Sequence, residues 1–574
     1  MKKRMFAGLL SALLLVGALC GCQEETPQEV GGIGSQETGE EKKPISGGEL
    51  VIGTLQDLDE DLEPYGAAAE TREILFNVYE GLVKADAKGD YVPAVAAEST
   101  VSKDGLTYTF PLREGVSFHN GDPVTAQDVI ASFAACEAGT EDSALAQALS
   151  NVLRVTDQEG TVTVTLRQPD PDFLSYVSLV YITPAEGNQP LGEEEDDREG
   201  ESGQSSQTDR TGRTDRSNGS SRTNGSQQIR STDREGQDSR PVGTGPFQVS
   251  EDQEERSDLV LERFDGYWGE KAYLDKVTFR EYAASSRLTA DLEEGVLDMV
   301  LHLSQEELES VSASSYKILE GSRNQVQTLY LNHAEAPFDD ERVCQAIGCA
   351  VDVDGILSLA GESAGTKVGG PIYPALAKYY EAALAEKVTQ DVEKAKELLA
   401  EAGYEDGFSM TILVPSNDPI HETVAELLAG QLAEADIRAT VRAVSWETWM
   451  SQVYEKRDFQ STLVSFGAAV CSAEAVLESW SSDSPGNFSG YEDPQYDSLL
   501  DQAAAATEEA EQISLYQQGA RRLVENGAGV FVQDLPDFVA VRTYVDGYQF
   551  YPLQALNLAG LYYAQDTGAP AEET

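Results

Sequence analysis

The sequence predicts an α/β protein with two or three domains. Once the N-terminal segments are set aside, about 500 residues remain, more than one ordinary core contains. Apolar residues at helical spacing over 391–402 and 420–435 predict two amphipathic helices, and the first ends at Gly403. The alternating segment 438–444 then predicts a strand. This recurring order of strand and helix favours lobes whose sheets are largely covered.

The N-terminal half shows the same mixture of elements. Helical spacing predicts a helix over 71–83, and Thr125 starts another helix as its N-cap, with Asp128 three residues on. Short alternating or apolar segments predict strands at 49–54, 106–112 and 161–166.

The N-terminus has the layout of an export signal. Three basic residues at 2–4 precede an apolar stretch at 6–19 that is too short for a comfortable membrane span. The stretch leads into Gly21-Cys22, which resembles the bacterial lipobox, where a small residue precedes the lipidated cysteine. We therefore predict a lipoprotein signal peptide at 1–21 and lipidation, palmitate included, at Cys22. An ordinary signal peptide with incidental cysteines is the alternative.

Two other segments carry almost no residues that a core could bury. Residues 22–47 are rich in Glu, Gly, Gln and Pro and predict a flexible tether, and 187–240 predicts a disordered low-complexity insertion in a surface loop. A binding role for the insertion is the alternative. Residues 567–574 predict a loose tail.

The charge balance restricts the partners. One hundred acidic residues against 41 basic ones give a formal net charge of −59. Such a surface argues against nucleic acid or an anionic membrane as a partner, so the membrane is reached only through the lipid. Solubility outside the cell explains the charge, and attraction of cationic ligands is the alternative.

Cysteine and histidine spacing offers no metal or cofactor site. Cys136, Cys344, Cys349 and Cys471 form no CxxC pair, and we expect small buried side chains rather than a disulfide framework. The four histidines lack HxxxH or HExxH spacing. We therefore predict no metal and no cofactor.

One motif belongs to enzymes. Gly361, Ser363 and Gly365 satisfy the G-x-S-x-G pattern of α/β-hydrolases, which needs a strand before the serine and a helix after it. Here a helix predicted at 354–360 precedes the motif, and the Gly-Gly-Pro ending at Pro371 cannot continue a helix. The sequence therefore predicts a protein that is not an enzyme and has no catalytic residues.

A series of phrases, in order along the chain, resembles the family of bacterial extracellular solute-binding proteins, family 5, which serve peptide and nickel ABC importers. The most diagnostic is LREGVSFHNG at 112–121, followed by PVTAQDV at 123–129. The others include PAVAAE at 93–98, PVGTGPF at 241–247, FDGYW at 264–268, YLN at 330–332, PFDDERV at 337–343 and EKAKELL at 393–399. Within this motif series we expect Arg113, His119 and Asp128 to make structural hydrogen bonds.

The resemblance implies a two-lobed periplasmic-binding-protein type II fold (a Venus flytrap) with an extra subdomain on the first lobe, and lobes that close over ligand by hinge bending. We expect Gly243, Gly245 and Pro246 to form a tight turn with special φ angles where the chain re-enters lobe 1. The implied boundaries are lobe 1 at 48–85, 241–326 and 537–566, the extra subdomain at 86–186, and lobe 2 at 327–536.

The resemblance also implies the function. We expect a substrate-binding lipoprotein of an ABC importer, a monomer that captures a peptide, most naturally an oligopeptide, and delivers it to permease and ATPase subunits. Its expected location is extracytoplasmic, anchored to the cell membrane through the N-terminal lipid. The alternatives are another solute, such as an oligosaccharide or metal chelate, and a surface or sensory lipoprotein that transports nothing.

Two departures concern the ligand pocket. In peptide-binding relatives an aspartate pairs with the ligand amine after an aromatic–glycine turn, and here that position falls on Ala469. Dipeptide-binding relatives place an arginine in the loop that corresponds to 415–420, which contains none. Both departures favour a longer peptide held through its backbone, or a different solute, in a large, wet, aromatic pocket.

Residues of several segments are candidates for this pocket. For each aromatic candidate the alternative is core packing, and for Arg323 it is a surface ion pair. The candidate ligand-binding residues are Tyr65, Arg323, Trp446, Phe466, Gly467, Asn487 and Phe488.

Overall fold

The computed structural model describes residues 43–55, 58, 62–65, 69–139, 143–185, 240–251, 258–361, 364–387, 389–506 and 508–564. The signal peptide, Cys22, nearly all of the insertion, Ser363 and the tail lie outside these residues.

An eleven-stranded sheet runs through the folded body. Its ends lie in two different lobes, so the sheet connects them. The strand order is Ile437–Val444, Phe408–Pro415, Ser461–Phe466, Tyr316–Leu331, Gly529–Arg542, Met299–Val300, Glu49–Thr54, Lys276–Glu281, Asp258–Arg263 and Phe247–Val249, with Thr366–Lys367 added to Gly529–Arg542.

Lobe 1 is built around the buried strand Glu49–Thr54. This strand pairs in parallel with Lys276–Glu281 on one side and with Met299–Val300 on the other. Its Leu50 and Ile52 are fully buried, because a strand flanked on both sides needs apolar residues to fill the core. The helices of this lobe are Ala69–Val78, Ser285–Glu294 and Gln305–Leu308.

Two long antiparallel strands, Tyr316–Leu331 and Gly529–Arg542, connect the lobes. The first half of Tyr316–Leu331 pairs with the last half of Gly529–Arg542 in lobe 1, and the other two halves pair in lobe 2, with a register shift between Ser322 and Val326. At this shift the backbone N–H of Gln325 donates to Oδ1 of Asp534 at 3.0 Å, and burial raises the pKa of Asp534 to about 7. An irregular point in an otherwise continuous strand pair is where a hinge bends most easily.

Lobe 2 has a parallel sheet of Phe408–Pro415, Ile437–Val444 and Ser461–Phe466. Its core packs the amphipathic helices Glu341–Ala350, Val392–Glu401 and Pro419–Leu432 against this sheet. The remaining helical segments are Val353–Ala360, Ala382–Ala385, Ala433–Ala435, Trp446–Trp449, Met450–Glu455, Ala473–Leu477, Glu478–Trp480, Pro494–Ala505 and Glu509–Glu525.

A small subdomain lies between the parts of lobe 1 in the sequence. Its antiparallel sheet has the order Thr100–Val101, Thr107–Pro111, Thr161–Leu166 and Val152–Gln158. Val162, Val164 and Leu166 alternate inward to the core, as the pattern of the strand requires. Its other elements are the hairpin Val83–Ala85 with Tyr91–Pro93 and the helices Ala126–Gly139, Ser143–Ser150 and Phe173–Val177.

Most predicted elements are confirmed, and one helix is shorter than predicted. The helix predicted over 71–83 ends at Val78, and Val83 starts a strand instead. The carbonyl oxygens of Glu80, Gly81 and Leu82 accept hydrogen bonds from the N–H groups of other segments, including Ile182 and Val95, so the chain pairs with those segments instead of continuing the helix.

The structure corrects the end of the predicted tether. Residues 44–45 form a strand that pairs with Tyr563 and Ala564, and the N–H of Gly47 donates to the carbonyl oxygen of Tyr273 at 2.7 Å. The composition of this segment conceals the pairing, because a two-residue edge strand needs backbone groups and not apolar side chains.

Gly243 and Gly245 serve close packing rather than an unusual φ. Neither has a positive φ, which corrects that expectation. A Cβ would lie 2.0 Å from the carbonyl oxygen of Val78 at Gly243 and 2.2 Å from that of Asn77 at Gly245. The segment thus packs against the end of the Ala69–Val78 helix. His119 bonds both glycines, and burial lowers its pKa to about 4, so the structural role expected for it is confirmed.

Within the described residues, no single helix has the length and hydrophobicity to cross a membrane. The pair Glu341–Ala350 and Val353–Ala360 meets the criterion only when taken together across a 47° bend. Ile347 of the first helix and Ile356 of the second are fully buried in the lobe 2 core.

Candidate functional site

A cavity of about 520 Å³ opens at the end of the Ser461–Phe466 strand. The loop 466–470 forms one wall, and the rest comes from lobe 2 and from Tyr176 of the small subdomain. The volume suits a peptide side chain or another small solute. Its aromatic lining residues are Tyr176, Tyr330, Tyr454, Phe466, Trp480, Phe488 and Phe531.

Rings in contact form the floor of this cavity. Tyr330 stacks on Trp480 with centroids 4.9 Å apart and an interplanar angle of 11°. Phe488 lies 4.9 Å from Tyr330 and 5.9 Å from Phe466, and Trp480 packs edge-on to Phe531 at 5.6 Å. Such contacts hold the rings in fixed positions, so the wall is formed before ligand arrives.

Local hydrogen bonds position the segments that carry these rings. Asn487 donates to the carbonyl oxygens of Ser481 at 3.1 Å and Tyr491 at 2.8 Å, which fixes the turn that bears Phe488. Ser472 caps the helix Ala473–Leu477 by accepting from the N–H of Glu474 at 3.0 Å.

A smaller cavity of about 30 Å³ lies on the lobe 1 side of Ala469, which lines both cavities. Glu80 there accepts hydrogen bonds from Tyr267 and Trp268, each at 2.7 Å, and pairs with Lys84 at 2.9 Å. These charges are therefore engaged within lobe 1. The position of Ala469 between the two cavities places the loop 466–470 in the cleft between the lobes.

Several side chains join the small subdomain to lobe 2 across this cleft. Asp172 accepts hydrogen bonds from the hydroxyls of Tyr379 at 3.2 Å and Tyr516 at 3.1 Å, and from Nε2 of Gln512 at 3.1 Å. The N–H of Cys471 donates to the hydroxyl of Tyr91 at 2.8 Å. The two parts are thus in contact, which is the arrangement of a closed cleft.

Three carboxyl groups lie at this contact: Asp172, which is buried, and Asp170 and Glu474, which are half-buried. Burial and the charge of Asp172 raise the pKa of Asp170 to about 7, and burial also raises the pKa of Asp172. Burial, followed by the charges of Asp170, Asp172 and Glu478, raises the pKa of Glu474 well above its ordinary value. The positive charge of Lys378 acts on Asp172 in the opposite direction.

We predict that Glu474→Gln stabilises the protein at pH 8 but not at pH 4. A carboxyl whose pKa is raised on folding contributes stability that is fully present below its unfolded pKa, about 4, and lost as pH rises through its folded pKa. The neutral amide avoids that loss, so the gain at pH 8 is roughly 1–3 kcal/mol. Thermal melts at both pH values measure the difference. The exposed Glu434→Gln is the control and shows no pH-dependent gain. An equal effect of Glu474→Gln at both pH values would contradict the assignment.

Gly467 has no space for a side chain. A Cβ there would lie 2.3 Å from the carbonyl oxygen of Asn324 in the strand that connects the lobes. We predict that Gly467→Ala destabilises lobe 2 by about 1–3 kcal/mol through this clash. Gly430→Ala is the matched control, because nothing lies within 4 Å of its Cβ in the Pro419–Leu432 helix. The control stabilises by about 0.4–1 kcal/mol. Urea titrations distinguish the opposite signs, and two changes of the same sign would refute the close approach.

The structure brings together three of the predicted site residues. Phe466, Gly467 and Phe488 line the large cavity. Trp446 is 43% exposed and stacks on Trp449 at 5.1 Å, outside that lining. Asn487 is buried in the turn described above.

The other two lie apart from the cavity wall. Tyr65 donates to the carbonyl oxygen of Tyr181 at 2.7 Å, and burial raises its pKa to about 12. Arg323 pairs with Asp418 at 2.6 Å, the acid that caps the helix Pro419–Leu432. Ligand contact by any of the seven stays a prediction.

The lining residues that the sequence reasoning missed include Tyr176, Tyr330, Tyr454, Glu478, Trp480 and Phe531. In the sequence, Tyr330 stands out only as part of the segment YLN at 330–332 that resembles the family. Trp480 and Phe488 both follow the loop 466–470 in the sequence, which could have indicated that Trp480 lines the cavity. The same spacing, however, predicts core packing equally well.

The hydrolase motif has the wrong surroundings. The helix Val353–Ala360 precedes it and the strand Thr366–Lys367 follows it, whereas a nucleophile elbow has the reverse order. Ser363 itself lies outside the described residues. Within the part of the chain that is described, no three His, Cys, Asp or Glu side chains are grouped to hold a metal ion. Cys136, Cys344, Cys349 and Cys471 form no disulfide with one another; the first two are buried and the other two are half-buried.

Comparison with known proteins adds a family and a fold. The profile described as "Bacterial extracellular solute-binding proteins, family 5 Middle" matches residues 90–488. Heme-binding protein A of Haemophilus influenzae is 26% identical over 76% of this chain and 78% of its own length. The dipeptide-binding protein of Escherichia coli is 25% identical over 81% of this chain and 84% of its own.

A solved structure gives the same architecture. The periplasmic binding protein DppA from Helicobacter pylori, in complex with the peptide STSA, superposes with a TM-score of 0.70 at 22% identity. The match covers 91% of this chain and 99% of that one. The predicted two-lobed type II fold is therefore confirmed.

Proposed function

Because this chain belongs to the bacterial extracellular solute-binding proteins of family 5, we propose that it captures a peptide between its two lobes and delivers it to the permease of an ABC importer. The observation that carries the proposal is the aromatic cavity at the loop 466–470, closed from the other side by Tyr176 of the small subdomain. Such a cavity encloses a ligand side chain, as capture between lobes requires.

The relatives' names support a peptide as the ligand. One curated relative is a dipeptide-binding protein, and the Helicobacter pylori structure contains a tetrapeptide. In this chain the residues of the loop 466–470 line the cavity. We expect their backbone N–H and C=O groups to bind a peptide main chain whatever its side chains are.

The cleft favours an oligopeptide over a dipeptide held at both charged ends. Ala469 lies between the two cavities and provides no acid for the ligand amine. The loop 415–420 contributes Asp418, which pairs with Arg323, and no arginine of its own. A ligand whose two charged ends are not bound by charged side chains needs more main-chain contacts. A longer peptide provides them.

The tether and partners are part of the same proposal. A signal peptide at 1–21 and lipidation at Cys22 would hold the protein on the outer face of the cell membrane, where it meets the permease and its ATPase. The protein acts as a monomer and as a binder rather than an enzyme. Metabolic labelling with palmitate, compared between the parent chain and Cys22→Ala, tests the anchor.

Calorimetric titration tests the ligand class. The protein is titrated with pooled peptides of two to nine residues, with oligosaccharides and with a nickel–histidine chelate. We expect heat and saturation with peptides of four or more residues. Saturation with only sugars or the chelate would overturn the peptide assignment, and mass spectrometry of ligand that co-purifies with the protein provides an independent identification.

A further inference from the structure

We propose that the aromatic cavity receives a cationic side chain, lysine or arginine, of the captured peptide, with its apolar stem against the rings and its charged head toward Glu478. This inference rests on the proposed function and adds a side-chain preference to it. The cavity's shape, charge and ring content each support it.

The charge of the lining has one sign. Among the described residues that line the cavity, Glu478 is the only one with an acidic or basic side chain besides the tyrosines. It lies nine residues after Ala469 along the chain, and both residues line the same cavity. The carboxylate absent at Ala469 is therefore provided within the same cavity by a different residue.

Further carboxyl groups lie near Glu478, and a bound cation favours their ionised forms. Glu474 lies one helical turn before Glu478, and its charge interacts with Glu478, Asp170 and Asp172. Lys378 is the cation whose charge acts on Asp172, and it pairs with Glu509 at 2.9 Å. A cation that enters the cavity meets the carboxyl group of Glu478 in a partly desolvated site, where Coulomb attraction is strongest, and it favours ionisation of the carboxyl groups near Glu478.

The rings match the rest of a long cationic side chain. The methylene stem of lysine or arginine packs along aromatic faces while the charged head reaches a carboxylate. Rings that face a cation within about 6 Å attract it through their quadrupole. A main-chain amine has no methylene stem of its own to pack along the rings, so it would leave more ring surface uncovered. These features favour a side chain over the peptide amine.

A peptide series on the parent protein tests the preference without any substitution. The series is Ala-Ala-X-Ala-Ala with X as lysine, arginine, norleucine or glutamate, each with a free and with an acetylated N-terminus. We expect lysine and arginine to bind about 10- to 100-fold more tightly than norleucine, and glutamate most weakly. Acetylation leaves this order unchanged. Equal binding of lysine and norleucine would overturn the inference, as would a preference abolished by acetylation.

Proton release provides a second readout. A cation bound at Glu478 acts electrostatically on Glu474, which interacts with Glu478 and Asp170, and it favours the ionised carboxyl forms, so lysine peptides release protons on binding near pH 7. Calorimetry in two buffers of different ionisation enthalpy detects this release. Norleucine peptides show little or none, and equal release by both peptides would contradict the proposed position of the charged head.

The variant Glu478→Gln connects the preference to the residue. It is expected to lower affinity for the lysine peptide about 10-fold or more and to leave the norleucine peptide within about threefold. Glu434→Gln, an exposed lobe 2 residue, is the matched control and changes neither. If Glu478→Gln retains the lysine preference, the residue assignment is wrong. If no peptide of any series binds, the proposed function itself fails, which separates the two outcomes.

Discussion

Asp172→Ala is expected to weaken ligand binding about 10- to 100-fold while both lobes stay folded. Asp172 accepts three hydrogen bonds from Tyr379, Gln512 and Tyr516 across the cleft. We expect these bonds to break when the small subdomain and lobe 2 move apart. Each hydrogen bond contributes about 0.5–1.5 kcal/mol, and their loss lowers the population of the closed state. Apparent affinity falls in proportion to that population.

Asp172→Asn is the control for this prediction. The amide keeps an acceptor oxygen and resembles the protonated acid that burial favours, so ligand affinity stays within about threefold of the parent. Calorimetry measures affinity, and thermal melts verify folding. If alanine and asparagine variants bind ligand equally, the three bonds do not contribute to closure.

Phe488→Ala is expected to lower the unfolding free energy of lobe 2 by about 3–5 kcal/mol. Phe488 is 4% exposed and lies within ring-contact distance of five aromatic neighbours: Tyr330, Trp449, Tyr454, Phe459 and Phe466. Removal of the Phe488 ring leaves a cavity that the neighbouring aromatic rings fill only partly, because their contacts hold them in fixed positions. For a lobe of this size, a loss of 1 kcal/mol lowers Tm by about 2–4 °C, so the expected change is roughly 6–20 °C.

Differential scanning calorimetry measures that decrease. Leu359→Ala is the control, because Leu359 is 71% exposed and its loss changes stability by less than about 0.5 kcal/mol. The Phe488 variant also loses ligand affinity, since the ring lines the cavity. A loss of roughly 0.5–1 kcal/mol in unfolding free energy would keep Tm within about 2 °C of the parent. Such a small change would show that the aromatic floor is not a packed core.

Local elements were predictable because their signals lie within a few residues. The strands at Glu49–Thr54 and Thr161–Leu166 match the predicted bounds, and the helix Val392–Glu401 lies within one residue of the predicted 391–402 at each end. The ordered family phrases also predicted the two-lobed fold. The lobe boundaries themselves stay a prediction.

The cleft was less predictable, because it depends on groups far apart in the chain. Asp172 meets Gln512 across 340 positions, and no local pattern records that contact. The role of Gly243 likewise depends on the carbonyl oxygen of Val78, so the sequence shows a glycine but not the reason for it. Nothing in the sequence around Glu478 distinguishes it from other acidic residues in helical segments. Only the fold places it in the lining of the same cavity as Ala469.

The most direct test of peptide capture is a crystal structure of the protein with Ala-Ala-Lys-Ala-Ala. We expect the peptide main chain to lie along the loop 466–470 and the lysine side chain to enter the cavity lined by Phe466, Phe488 and Glu478. Tyr176 of the small subdomain would cover the bound side chain. An empty cavity with the peptide bound elsewhere, or a co-purified ligand of another chemical class in its place, would contradict the account.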